Sequence, residues 1–235
     1  MRKENSFSEI NHAMVYLLQV LVMISLMSQR GNIRNSLLCI LTLLLFEFPH
    51  FIKHTLPKLL EMILYCFIFS AIILGEVENF YNIWNHWDTI LHTVNGFICA
   101  MIGFSLLKDK IQNPILIIIM TLSFSMTVGV IWEIAEFTVD QCFLKDMQKD
   151  KIITSFKSNK INESLKDIIK TEIFLANGNT IEIDGYLDIG LHDTMKDLMV
   201  NLIGAVIFSL IGYQYLTNKD QCSWIKKIIE ENVIV

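Results

Sequence analysis

Only 18% of the 235 residues are charged, 53% are hydrophobic and the mean hydropathy is +0.47. A soluble domain of this size carries about a quarter charged residues, so a soluble globular enzyme is excluded. The formal net charge of −5 says little about partners, because the charges sit at chain ends and in loops, and no basic surface for nucleic acid is present.

Six apolar segments follow one another, at about 12–28, 33–52, 57–74, 89–107, 114–137 and 194–216. Each approaches the ~20 residues that span a bilayer as a helix. Helices are the only open-chain solution there, because every backbone polar group must be satisfied within the segment. The expected fold is therefore an all-α integral membrane protein, a bundle of about six transmembrane helices forming one polytopic domain over residues 1–235. Arg2 and Lys3 precede the first segment, and no A-x-A-like cleavage site follows it, so it reads as a membrane helix rather than a signal peptide. Pro57 and Pro114 stand where helices begin, a position proline tolerates. The five cysteines, Cys39, Cys66, Cys99, Cys142 and Cys222, form no CxxC and read as small hydrophobes. Gly96, Ala100 and Gly103 on the fourth segment, and Gly204 and Gly212 on the last, are suited to close helix packing.

Lysine and arginine counts in the short loops set the orientation. Arg2, Lys3, Lys53, Lys58, Lys108, Lys110, Lys219, Lys226 and Lys227 share one side; Arg30 and Arg34 lie on the other. Both termini are therefore expected in the cytoplasm, with the chain in an inner or plasma membrane. The third loop and the long loop at about 141–192 then face outward. In that loop, KIITSFKSNKINESLKDIIK has room for a short amphipathic helix. TEIFLANGNTIEIDGY, with Asn177-Gly178 between alternating segments, predicts a small β-hairpin.

Several polar residues do not belong in lipid. Asp88, His92 and Asn95 share a face at the start of the fourth segment. Glu133, Glu136 and Asp140 share one at the end of the fifth, and Asp193, Asp197 and Asn201 share one at the start of the sixth. Gly75 and Glu76 close the third. All these ends are expected on the outer side, which predicts an outward-facing polar pocket built from those nine residues. Each also has a plainer reading. Asp88 and Asp193 fit carboxylates that stabilise a helix N-terminus, and His92 fits a packing histidine. Trp84, Trp87 and Trp132 fit an interfacial aromatic belt. Glu133 and Asp197 lie deeper in their spans. Like charges held close must be protonated, paired or metal-bound. Oxygen ligands and one imidazole suit magnesium, manganese or zinc, with His92, Glu133 and Asp197 as candidate metal ligands. Catalytic candidates are Asp88, Glu133, Glu136 and Asp197. Glu47, with His50 and His54, lies at the other end of the second segment and is left outside the pocket.

The set GEVENFY, WDTILHTVNGF, WEIAEFTVDQ and YLDIGLHDTMKDLMVNLIGA resembles the uncharacterised bacterial membrane-spanning proteins of the YjdF type, the DUF2238 family. The resemblance runs from about Gly75 to Tyr213 and implies a multi-pass inner-membrane protein of unknown activity. A weaker similarity is to the VanZ-like family, associated with glycopeptide-antibiotic resistance. Asp88 and His92 match its D-x-x-x-H, and Asp197, Asn201 and Gly204 match its D-x-x-x-N-x-x-G. That family's acid-to-glutamine step is here Glu133 with Glu136, and its loops are shorter.

The functional expectation is an envelope protein whose acidic pocket binds a divalent cation, a lipid head group or both, in contact with the bilayer. In an enzymatic version, a metal on Asp197, Glu133 and His92 activates water or polarises an oxygen, with Asp88 or Glu136 as base. The alternatives are a proton- or cation-coupled carrier using the same carboxylates, and a structural or assembly protein whose acids only lock helices together.

Overall fold

The computed structural model describes residues 2–29, 31–51, 58–143, 146–153 and 170–217. Each expected apolar segment falls in a helix. These are α1 (Arg2–Ser28), α2 (Ile33–Phe51), α3 (Lys58–Ile68), a short α4 (Phe80–Ile83), α5 (Trp87–Leu107), α6 (Pro114–Phe143) and α7 (Leu191–Thr217). Among the described residues, Leu60–Val77, Trp87–Leu107, Pro114–Phe143 and Leu191–Thr217 are long and apolar enough to cross a membrane, and Ala13–Ser28 is a shorter apolar helix. Lys53, His54, Pro57, Arg30, Cys222 and the basic tail at Lys219, Lys226 and Lys227 lie outside the described residues.

The helix starts follow from local chemistry. Asn32 Oδ1 accepts the Asn35 N–H at 3.1 Å and caps α2. Asn113 Oδ1 accepts the Ile115 and Leu116 N–H groups at 3.0 and 3.3 Å, with Pro114 as the first residue of α6. Gly190, at φ +87°, turns the chain into α7.

The third span departs from expectation. It runs on past residue 74, and from Phe69 to Val77 it is π-helical, closed by the Glu78 N–H on the Ile73 carbonyl at 2.9 Å. Gly75 allows this path, because a Cβ there would lie 2.4 Å from the Tyr81 ring. Asn79, at φ 64°, then redirects the chain into α4.

Two units divide the chain. The first is Met1–Gly129 with Val200–Val235, and the second is Val130–Met199. In the first, Leu18, Val22, Cys39, Phe46, Tyr65, Ile73 and Val77 make one core between α1, α2 and the third span. Leu60, Ile98, Ala100, Met101, Phe104, Ile117, Ala205, Phe208 and Tyr215 make the other, around α5. Nine residues spread around most of α5 are buried, which marks it as the central helix of this unit. Its backbone touches that of α7. A Cβ on Gly96 would lie 1.9 Å from the Asn201 carbonyl oxygen, and one on Gly204 would lie 1.9 Å from the Thr93 carbonyl oxygen. The small-residue reading of these two positions is thereby given its physical reason.

The second unit carries the end of α6, the start of α7 and two strand pairs. β2 (Lys170–Phe174) and β3 (Thr180–Asp184) form the expected antiparallel hairpin, with Phe174 opposite Thr180. Its tip is a three-residue loop, Ala176, Asn177 and Gly178, rather than a two-residue turn. The Gly178 N–H bonds the Leu175 carbonyl at 2.9 Å, and the Leu175 N–H bonds the Asn179 carbonyl at 2.8 Å. With Gly178 at φ +86°, this is a turn closed by a glycine bulge. The short amphipathic helix for which residues 151–170 have room does not begin at their first residues. Lys151–Ile153 is a strand, β1, paired antiparallel with β4 (Tyr186–Asp188). Residues 154–169 lie outside the described set.

Gly96→Ala and Gly204→Ala should each cost about 1–3 kcal/mol, because a new methyl meets backbone rather than a side chain that can rotate away. Gly31→Ala, with nothing within 4 Å, should cost only its φ of +98°. Thermal unfolding in detergent checks this order, and equal losses at all three positions would contradict it.

Candidate polar site

In the first unit, Asp88 and His92 lie one turn apart on α5, with Asp88 Oδ1 3.5 Å from His92 Nε2. His92 is buried and Asp88 half-buried. Asn95 follows, but its amide is turned to packing. Asn95 Nδ2 donates to Asn201 Oδ1 at 3.3 Å, and the Cys99 thiol donates to Asn95 Oδ1 at 3.5 Å. Asn201 Nδ2 in turn reaches the Ser125 carbonyl at 3.5 Å and Met126 Sδ at 3.6 Å. Ser125 Oγ donates to the Gly96 carbonyl at 2.9 Å. Gly129 leaves room for the Asn201 amide, since a Cβ there would lie 2.9 Å from Nδ2. Asn95 and Asn201 therefore lock α5, α6 and α7 within this unit, as buried amides in a low-dielectric interior must be paired.

Buried positions on α6 recur nearly every fourth residue: Ile117, Thr121, Ser125, Gly129, Glu133 and Glu136. The last two belong to the second unit, where they are 5% and 9% exposed. Trp132, assigned above to the aromatic belt, donates its indole N–H to Glu136 Oε1 at 2.8 Å. The four-residue spacing is the sequence signal for that pair.

Asp140 and Asp193 fix a loop. Asp140 accepts the Met147 and Gln148 backbone N–H groups at 2.7 and 2.8 Å. Asp193 is 3% exposed; it accepts the Lys149 N–H at 2.8 Å and pairs with the Lys151 ammonium. Gln148 Nε2 donates to Thr194 Oγ1 at 2.6 Å, and Asp188 accepts the His192 N–H at 2.6 Å. The chain from Asp146 to Ile153 is thus clasped to the end of α6 and the start of α7. On this segment Asp150 is exposed; what hydration it loses, and then repulsion from Asp146, Asp140 and Asp188, hold its carboxyl above the usual carboxylate range.

Asp197, one turn deeper on α7 than Asp193, is 1% exposed. Lys196 Nζ lies 3.6 Å from its Oδ1. His92, Glu133, Glu136 and Asp197 are thus buried groups of the kinds that can hold a metal ion. Glu76 is engaged elsewhere in the first unit, in an ion pair with Arg34, while Glu78 accepts the Ser25 hydroxyl at 3.0 Å. Glu47 is exposed, with Gln19 Nε2 3.5 Å from its Oε1.

Two expectations follow. In a double-mutant cycle, Asn95→Ala and Asn201→Ala should couple by roughly 0.6 kcal/mol, up to ~1.7, as membrane-buried hydrogen bonds do; strict additivity would remove the lock. Asp193→Asn should raise the tryptic cleavage rate at Lys149 and Lys151 several-fold, because the ion pair holding that segment is lost; an unchanged rate would show that the strands alone hold it.

The chain matches, over residues 10–218, the family described as Predicted membrane protein (DUF2238). It is similar to an uncharacterized protein from Thermotoga maritima, 25% identical over 170 residues that cover 70% of this chain and 67% of that protein. No solved structure matches. With apolar helices of membrane-crossing length and a match over nearly its whole length, the chain belongs to the DUF2238 family of predicted membrane proteins.

Proposed function

We propose that this protein binds a divalent cation through its buried acids, with Glu133, Glu136 and Asp197 as the carboxylate donors. The observation that carries the reading is the burial of Glu133 and Asp197, at 5% and 1% exposure, in helices apolar enough to cross a membrane. Removing a carboxylate from water costs several kcal/mol unless a cation or a proton answers it. Carboxylate oxygen donors suit a hard or borderline divalent cation such as magnesium, manganese or zinc. Asp140 and Asp193 then act outside this set, holding the loop.

The site faces outward in this reading, with both termini in the cytoplasm and the protein in the bacterial plasma membrane. The lysine and arginine distribution supports that orientation. A lipid head group is the natural further ligand for an ion held at such a depth, through its phosphate oxygens.

The test is elemental analysis of protein purified in detergent and equilibrated with Mn2+. The wild type should retain about one equivalent, and the Glu133→Gln/Asp197→Asn double variant should retain none while eluting as the same folded species. Absence of the ion from folded wild type would overturn the reading. Ion-gradient-dependent uptake into liposomes would redirect it to a carrier, and loss of the fold in the double variant alone would redirect it to a structural role for the acids.

A further inference from the structure

Asp197 already has a cation beside it. Lys196 Nζ lies 3.6 Å from Asp197 Oδ1, with the lysine side chain 29% exposed and the aspartate 2%. Among the described residues nearby, the Lys151 ammonium is bound to Asp193 and the Lys149 ammonium to the Asp146 carbonyl. Lys196 therefore serves Asp197 in particular. Its four-carbon stem lets the ammonium move toward water while the helix stays in place, as long basic side chains at a membrane boundary do.

We infer that Lys196 is a tethered counter-cation of Asp197, which an incoming ion must displace, and that it thereby selects divalent over monovalent cations. The inference rests on the cation-binding reading above. The physical argument is a competition. A tethered ammonium acts at an effective concentration in the millimolar range or above, at no cost in translational freedom. Sodium or potassium brings one charge, the same as the ammonium, and gains little by replacing it. A divalent ion brings two and interacts twice as strongly with the same carboxylates. The lysine thus raises the threshold for every ion but excludes singly charged ones.

The sign of the effect separates this role from others. A lysine that only supports the fold, or that binds an anionic ligand directly, would weaken binding when removed. A competing counter-cation strengthens it. The experiment is a Mn2+ titration of EDTA-stripped protein in detergent, with and without 150 mM Na+ (roughly physiological ionic strength), comparing wild type, Lys196→Met and Lys196→Arg. The methionine variant should bind Mn2+ on the order of tenfold more tightly, and added sodium should now weaken that binding more than ionic strength alone does in wild type. The arginine variant, which keeps the charge, should stay close to wild type. If wild type binds Mn2+ and Lys196→Met binds it equally or less tightly, or sodium competes no better, the counter-cation role falls while cation binding stands. If no variant binds Mn2+, both fall.

Discussion

Backbone contact between α5 and α7 is the constraint on which the rest of the first unit depends. Lipid tails are as apolar as leucine, so helices in a bilayer gain nothing from hiding apolar surface and associate through packing and hydrogen bonds. Gly96 and Gly204 remove the two Cβ atoms that would hold the helices apart, each opposite a carbonyl of the other helix. Only at that separation do Asn95 and Asn201 reach one another, and beside them Ser125 on α6 reaches the Gly96 carbonyl. Phe104 and Phe208 close the apolar side of the same crossing, with ring centroids 5.7 Å apart.

The acids divide by how their charge is answered. Those near the helix ends meet backbone N–H groups and ammonium groups of the loop, and so tie α6 and α7 to an antiparallel strand pair. Those deeper in the helices, Glu133, Glu136 and Asp197, are held away from water. Asp193 is as buried as they are, at 3% exposure, but the Lys149 N–H and the Lys151 ammonium answer it, so its charge is spent on order. A buried carboxylate must have its charge answered, and what answers it, a loop or an ion, separates the structural acids from those proposed to bind.

Much of this was legible from residue patterns. Apolar length alone placed the helices, because the hydrocarbon thickness sets a minimum run. Four-residue spacing put Asp88 on His92 and identified the faces of α6 and α7 that are buried. Asn177-Gly178 marked the hairpin through its glycine. What stayed hidden depends on contacts distant in sequence or on backbone register. The partners of Asp140 are amide groups seven and eight residues on, with no side-chain signature. Strands β1 and β4 are three residues each and lie more than 30 positions apart, too short for alternation to stand out. The π-helical stretch leaves no periodicity of its own, because its residues are apolar throughout apart from Ser70, Gly75 and Glu76. Trp132 carried two readings at once, since an indole at an interface and an indole bonded to an acid look alike in sequence.

The third span has a consequence for the lipid beside it. From Lys58 to Val77 it holds 20 residues, which as a regular α-helix would advance about 30 Å, the thickness of the hydrocarbon core. A π-helix advances less per residue, and nine of these residues are π-helical. The span is thus shorter than its residue count suggests, and a short hydrophobic stretch stands upright or draws the bilayer in around it.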